Sequence, residues 1–243
     1  MKVLILAAGR GTRISRYLSG NPKCTVNIGG GKELIQYTVE TLLKKGVTQI
    51  AIALGYRADV IRSSLKAYPQ VQYYYNPFFD VTNSIASAWF ARDFLAGGEE
   101  TMIMNGDVYL EDRLMDYILA YQKSPVMFAD GTRKLEADYK FYYRNHILEK
   151  YGKELSEEET SGEYIGVGRF DGPFMQWFVK EMNRRIQVQD HAGWWENVVY
   201  GLVENHEQPV FVEEINGMFW AEVDYIEDYD RILKFRGIEK RIP

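Results

Sequence analysis

The chain opens with the feature that most constrains its fold. Lys2 to Leu6 is an apolar run of aliphatic and β-branched residues, and it ends abruptly in Ala7-Ala8-Gly9. Such a run reads as a strand buried on both faces that empties into a glycine loop. The loop continues as Arg10-Gly11-Thr12-Arg13, and Pro22-Lys23 follows, with Pro22 nine residues beyond Arg13. Small residues at the carboxyl end of a first strand let a ligand lie against backbone, and successive loop N–H groups form a concavity for anions. Arg13 and Lys23 add the cations that a triphosphate needs. A dinucleotide fingerprint would require a third glycine and an acidic residue after the second strand, where Gly55-Tyr56 stands instead. A Walker loop would require Ser or Thr after its Lys, whereas Gly31-Lys32 is followed by Glu33. A plain strand-to-helix turn explains the glycines but not the cations.

The rest of the first half alternates strand and helix. Leu34, Ile35, Val39, Leu42 and Leu43 form a helical stripe closed by Lys44, Lys45 and Gly46. Gln49 to Leu54 reads as a second buried strand, 58–67 as a helix and 71–75 as a strand. Asn83 suits the N-cap of a helix running through Leu95. Thr101 to Met104 is a further apolar strand, ending at Asn105-Gly106-Asp107. The second half changes character. Residues 139–143 and 146–151 flank Arg144-Asn145 as a hairpin or meander, and 156–163 is a polar, acidic surface loop. Residues 164–170 read as a strand, 173–186 and 195–204 as helices, 210–213 and 218–223 as closing strands before a terminal helix. This pattern predicts an α/β chain whose mainly parallel sheet is covered on both faces. With no repeat and no linker, one domain with an inserted region is expected.

Composition narrows the partners. Lys plus Arg number 29 against 34 Asp plus Glu, a net charge of −5, opposite to what grips nucleic acid by its backbone. One cysteine, Cys24, excludes an internal disulfide framework and a Cys-rich zinc site. No apolar run approaches the ~18–20 residues of a membrane span, and no signal-peptide pattern is visible. A cytoplasmic protein with neither nucleic acid nor membrane as partner is expected, its oligomeric state open.

The opening motif, Leu6-Ala7-Ala8-Gly9 through Arg13 with Pro22-Lys23, resembles that of the sugar-nucleotide pyrophosphorylase type of nucleotidyltransferase. Arg16 and Leu18 stand where many members have Pro and Thr. Further likenesses run along the chain: Asn105-Gly106-Asp107, Gly152-Lys153-Glu154, Gly162 to Gly166, and Glu222-Val223-Asp224 before a helix. Asn76-Pro77 and Thr82 to Trp89 are most similar to the bacterial choline-phosphate, phosphonate and inositol-phosphate cytidylyltransferases.

The resemblance implies a Rossmann-like, GT-A-like three-layer fold with a mixed, mainly parallel sheet and an inserted β-rich acceptor region. Residues 1–243 would form a single domain: a nucleotide-binding half at 1–130, an acceptor-binding half at 131–223 and a closing helix at 224–243. It implies transfer of CMP from CTP to a small phosphorylated or phosphonate acceptor, with Mg²⁺ held by Asp107 and Asp224. Lys23, Arg13 and Asp107 would be catalytic. Leu6, Ala7, Ala8, Gly9, Gly11, Arg13, Lys23, Asn83, Ser87 and Gly106 would bind the nucleotide. Lys153 would meet the acceptor's phosphate. Helix capping is an equally good reading of the sequence around either Asp, and of Asn83.

For the acceptor, Tyr164, Trp194, Trp195 and Trp220 are candidate aromatic faces, and Glu196 a candidate carboxylate for a cationic head. Core packing explains buried aromatics equally well. Neighbouring residues on a helix are set ~100° apart, so only one of Trp194 and Trp195 is expected to face the acceptor. A sugar-1-phosphate nucleotidyltransferase using UTP, dTTP or GTP is the runner-up. An inactive regulatory subunit is the third reading, and the joint presence of Arg13, Lys23, Asp107 and Asp224 argues against it.

Overall fold

The computed structural model describes residues 1–11, 13–14 and 17–238. Arg16 and the last five residues of the expected closing segment lie outside them. The strands are β1 (Lys2–Ala7), β2 (Gln49–Leu54), β3 (Gln72–Tyr75), β4 (Thr101–Asn105), β5 (Val108–Leu110), β6 (Val126–Asp130), β7 (Lys140–Arg144), β8 (Ile147–Gly152), β9 (Gly162–Phe170), β10 (Phe211–Glu214) and β11 (Trp220–Glu222). The helices are α1 (Leu34–Lys44), α2 (Ala58–Ser64), α3 (Ser84–Phe90), α4 (Arg92–Leu95), α5 (Asp112–Ala120), α6 (Gly172–Gln187), α7 (Glu196–Asn205) and α8 (Ile226–Phe235).

Nine strands form one sheet in the order β3-β2-β1-β4-β9-β6-β10-β8-β7, and only β8 and β9 run against the rest. β1 is buried along its whole length between two parallel partners, β2 and β4, which is why its sequence is continuously apolar. Alternate β1 side chains feed two cores. Val3 and Ile5 pack with Ile35, Val39 and Leu42 of α1. Leu4 and Leu6 pack with Ile85 of α3 and, further along the same core, with Phe178 and Val198 of α6 and α7. This is the expected three-layer arrangement. A third cluster sets α8, through Ile232, against Tyr109 and Ala221 of the two-stranded β5–β11 ribbon.

β9 is the spine of the second half. One stretch of it pairs with β4, and its beginning pairs with β7, so β9, β6, β10, β8 and β7 close into a ring. The strand can serve both sides because its register against β6 shifts, and Gly166 near that shift has φ +77, a conformation favouring glycine.

Several boundaries depart from expectation. The helix after Asn83 is not continuous to Leu95. An i to i−3 bond from Ala91 N–H to the Ala88 carbonyl, 3.0 Å, closes α3, and α4 restarts at Arg92. The hairpin turns on Asn145-His146 rather than Arg144-Asn145, with both φ values positive (50 and 62) as a tight two-residue turn requires. The acidic loop stops before Gly162, and Glu163 is a buried residue of β9. The sequence pattern left β5, α5 and β6 unassigned. β5 has three residues, too few for a periodicity to register. Among the described residues no helix is long and apolar enough to cross a membrane.

Candidate active site

A cleft of about 530 Å³ opens beyond the carboxyl ends of β1 and β4 and extends along the start of β9. That is where an α/β sheet leaves loop ends unpaired and a ligand can reach backbone. The opening loop forms one wall. Gly11 has φ +60 and lies directly on the methylenes of Lys23. A Cβ there would sit 2.4 Å from Lys23 Cγ and 2.7 Å from Cε. Glycine at this position is therefore a packing requirement as well as a conformational one.

Lys23 begins a short 3₁₀ turn after Pro22. Its Nζ donates to Asp107 Oδ2 at 3.1 Å and to Asp224 Oδ1. Arg13 Nη1 holds the other Asp224 oxygen at 2.5 Å, and its guanidinium lies over the Tyr225 ring. Burial works against the Lys23 ammonium, but Asp107 and Asp224 outweigh it and hold its pKa above the ordinary lysine value.

Asp107 occupies the turn between β4 and β5, and Asp224 follows β11. The capping alternative fails for both. No helix follows Asp107 directly, and the Asp224 carboxylate is bonded to Lys23 and Arg13. Glu222, on β11, completes a triad with candidate ligand oxygens all within 4.8 Å of one another. Burial, then Asp107 and Asp224, push the Glu222 carboxyl well above the usual carboxylate range. These residues fit a hard divalent cation. All donors are oxygens, and the Lys23 ammonium already stands among them as a positive charge.

Leu6, Ala8, Gly9, Asn83 and Ser87 line one end of the cleft, joined by Phe79, Thr82 and Ser84. Asn76 shapes this end from beneath. Its Nδ2 donates to Thr82 Oγ1 and Ser87 Oγ, both at 3.1 Å, and its Oδ1 accepts from Phe78 N–H. Asn83 both lines the cleft and caps α3, its Oδ1 accepting from Ser84 N–H at 2.8 Å. Ala7 and Gly106 are corrected: neither lines the cleft. The pleat turns Ala7 into the α1-side core, and Gly106 packs against it, donating its N–H to the Leu6 carbonyl.

At the other end Lys153, Tyr164, Trp194 and Glu196 line the cleft, together with Asp138, Tyr139, Glu163 and Tyr200. Lys153 Nζ pairs with Asp138 Oδ2 at 2.7 Å. Glu163 accepts from Arg133 Nε at 2.7 Å and from Asp138 N–H at 2.8 Å, fastening the segment that presents Asp138 and Tyr139. Trp194 meets Tyr139 edge to face, 5.4 Å between centroids. Burial pushes the Glu196 carboxyl up to about 8, with its own backbone amide, Asn105 and Tyr164 offsetting part of the rise.

Trp195 and Trp220 are corrected as acceptor residues. Trp195 is 0% exposed, against 41% for Trp194, and packs on Phe170 and Phe178. Trp220 is buried with its indole N–H on Asp130 Oδ2 at 2.9 Å. Asp138 and Tyr139 come from the loop before β7, Glu163 from β9, Glu196's neighbour Asn105 from β4 and Tyr200 from α7, and no local spacing in the sequence marks them as one group.

Comparison with known proteins bears on the family and the fold. A family model described as nucleotidyl transferase matches residues 2–134. The CTP:phosphoglutamine cytidylyltransferase of Campylobacter jejuni is 27% identical over 95% of this chain and 98% of its own. The choline-phosphate cytidylyltransferase of Streptococcus pneumoniae is 27% identical over 96% of each. The solved structure of a CTP:phosphocholine cytidylyltransferase from Streptococcus pneumoniae shares the fold, with a TM-score of 0.76 at 23% identity over 97% of this chain and 98% of that one.

Proposed function

Because the chain belongs to the nucleotidyl transferase family, we propose that it transfers CMP from CTP to a small phosphorylated or phosphonate acceptor and releases pyrophosphate. One observation carries the reading. One cleft is lined by Arg13, Lys23 and the Asp107–Glu222–Asp224 carboxylates, by the small residues Ala8, Gly9 and Ser87, and by the acidic and aromatic side chains of Asp138, Tyr139, Trp194 and Glu196. The full-length relatives support CTP as donor, since both are named as cytidylyltransferases and the Campylobacter enzyme is named for CTP itself.

The acceptor's phosphate or phosphonate oxygen attacks the α-phosphorus. The new O–P bond forms as the bond to the bridging oxygen breaks, and pyrophosphate leaves with that oxygen. Charge must be brought to like charge, so positioning and neutralisation dominate. Lys23 serves the α-phosphate, Arg13 the β- and γ-phosphates and the leaving group, and Lys153 the acceptor's phosphate. Asp107, Glu222 and Asp224 would hold Mg²⁺, which supplies neutralisation of phosphate charge. The acceptor oxygen is already anionic, so no general base is required.

At the acceptor end, Trp194 and Tyr139 with Glu196 suit an amine or quaternary ammonium head. A neutral sugar would place its hydroxyls against three carboxyl side chains, Asp138, Glu163 and Glu196, with Lys153 as the cation beside them. The test crosses four nucleoside triphosphates with phosphocholine, 2-aminoethylphosphonate, glycerol phosphate and a sugar 1-phosphate, read by pyrophosphate release. CTP with a cationic-headed acceptor is the expected best pair. A tenfold preference for UTP, dTTP or GTP with the sugar 1-phosphate would establish the sugar-nucleotide reading instead, and silence with every pair would favour an inactive subunit.

A further inference from the structure

We infer that Lys23 is a resident counter-ion of the carboxylate cluster, so that a divalent cation enters this site together with the nucleotide rather than alone. The inference rests on the nucleotidyl-transfer reading above, because it takes Asp107, Glu222 and Asp224 as the cation's ligands.

Two of those three carboxylates are already bonded to side-chain cations. Lys23 Nζ donates to Asp107 Oδ2 at 3.1 Å and to Asp224 Oδ1, and Arg13 Nη1 takes Asp224 Oδ2 at 2.5 Å. The ammonium is not a solvated surface charge. The Lys23 side chain is 14% exposed, and the Gly11 backbone presses on its Cγ, Cδ and Cε. That contact confines the stem and aims the ammonium at the carboxylates.

A divalent ion arriving alone would have to displace this ammonium and then bear its repulsion at short range, in a site partly withdrawn from water. A triphosphate changes both terms, because its oxygens offer new partners to Lys23 and Arg13 and new ligands to the ion. Metal and nucleotide each relieve a cost the other would face, and such coupling is reciprocal by linkage. Lys23 thus has two stations, on the carboxylates and on the α-phosphate, and the nucleotide moves it from one to the other.

The test is Mn²⁺ binding without nucleotide, followed by the electron paramagnetic resonance of the free ion. Wild type is compared with Lys23→Met and Lys23→Gln, which remove the charge, and with Lys23→Arg, which keeps it. The neutral variants are expected to bind Mn²⁺ ~10–100-fold more tightly than wild type, within the usual range of coupling between sites. Lys23→Arg should stay near wild type, and Mn²⁺ should raise the thermal midpoint of the neutral variants more than that of wild type. Equal Mn²⁺ affinity in wild type and both neutral variants would overturn the exchange while leaving the metal site standing. No Mn²⁺ binding by the neutral variants at millimolar concentration would overturn the inference, whereas the functional reading falls only if pyrophosphate release is absent with every donor and acceptor pair. Neutral variants that fail to fold even with Mn²⁺ would also overturn the inference, since a cation able to replace the ammonium must restore the cluster.

Discussion

The Trp195 indole N–H donates to the Asn105 side-chain oxygen at 3.1 Å, while the Trp195 backbone N–H donates to Ser84 Oγ at 2.9 Å. One buried residue thus ties the strand leading to Asp107, the start of α3, and the two cleft-lining residues that flank it, Trp194 and Glu196. Trp195→Phe keeps a large apolar ring but removes the indole donor and leaves the Asn105 oxygen unpaired, at a cost of ~1–3 kcal/mol. The expected outcome is a lower thermal midpoint and a raised acceptor KM with the CTP KM nearly unchanged. A variant whose CTP and acceptor KM rise together would show a general loosening instead.

Lys23→Ala should lower turnover ~10²–10³-fold, the scale for removing one preorganised donor to the transition state. The measurement is steady-state pyrophosphate release at saturating CTP and acceptor, with circular dichroism confirming the fold. Turnover near that of wild type would take Lys23 out of the chemistry.

Activity should vanish with EDTA and return with Mg²⁺. Asp107→Asn and Asp224→Asn should each shift the Mg²⁺ dependence of turnover to higher concentration, because each removes a charged ligand from the triad. Unchanged Mg²⁺ titrations in both variants would place the cation elsewhere.

Glu196 links pH to stability and to acceptor choice. Its carboxyl is held at about 8 by burial, against an ordinary 4.5. The folded state keeps a proton that the unfolded chain has already lost, so this stabilising contribution is complete below pH ~4.5 and is lost as pH rises towards 8. Glu196→Gln should match wild type at the acidic end and grow steadily more stable relative to it up to pH ~8, read from thermal midpoints across that range. Phosphocholine KM should fall with rising pH through ~8 in wild type, as the carboxylate forms, and stay flat and high in Glu196→Gln. A flat profile in wild type would separate Glu196 from acceptor recognition.

Gly11→Ala should be far more damaging to turnover than to folding. The added Cβ meets the Lys23 stem at 2.4–2.8 Å and the backbone is left-handed there, so the Lys23 ammonium must move from the carboxylates it now contacts. Turnover within twofold of wild type would show that the stem can yield freely.

Much of this protein was legible in its residues alone. The strand, the glycine loop, Arg13 and Lys23 are close in sequence, and burial between two parallel partners imposes a continuous apolar run that needs no partner to be recognised. Asn83 was legible as a helix cap, a local event, whereas its assignment and that of Ser87 to the nucleotide rest on the family resemblance. Trp194 and Trp195 show the limit. A helix running through both would set them apart, but α7 begins only at Glu196, and which of the two faces the cleft is decided by the packing of Trp195 on Phe170 of β9 and Phe178 of α6. Glu163 likewise looked like part of an acidic loop until β9 took it inside. The acceptor end joins residues from the 131–139 segment, the turn after β8, β9 and the start of α7, which only the closed ring of strands brings together. Local periodicity reports which face of an element is apolar. Only the packing of distant elements decides which polar groups must share one cleft, and so which charges they must balance.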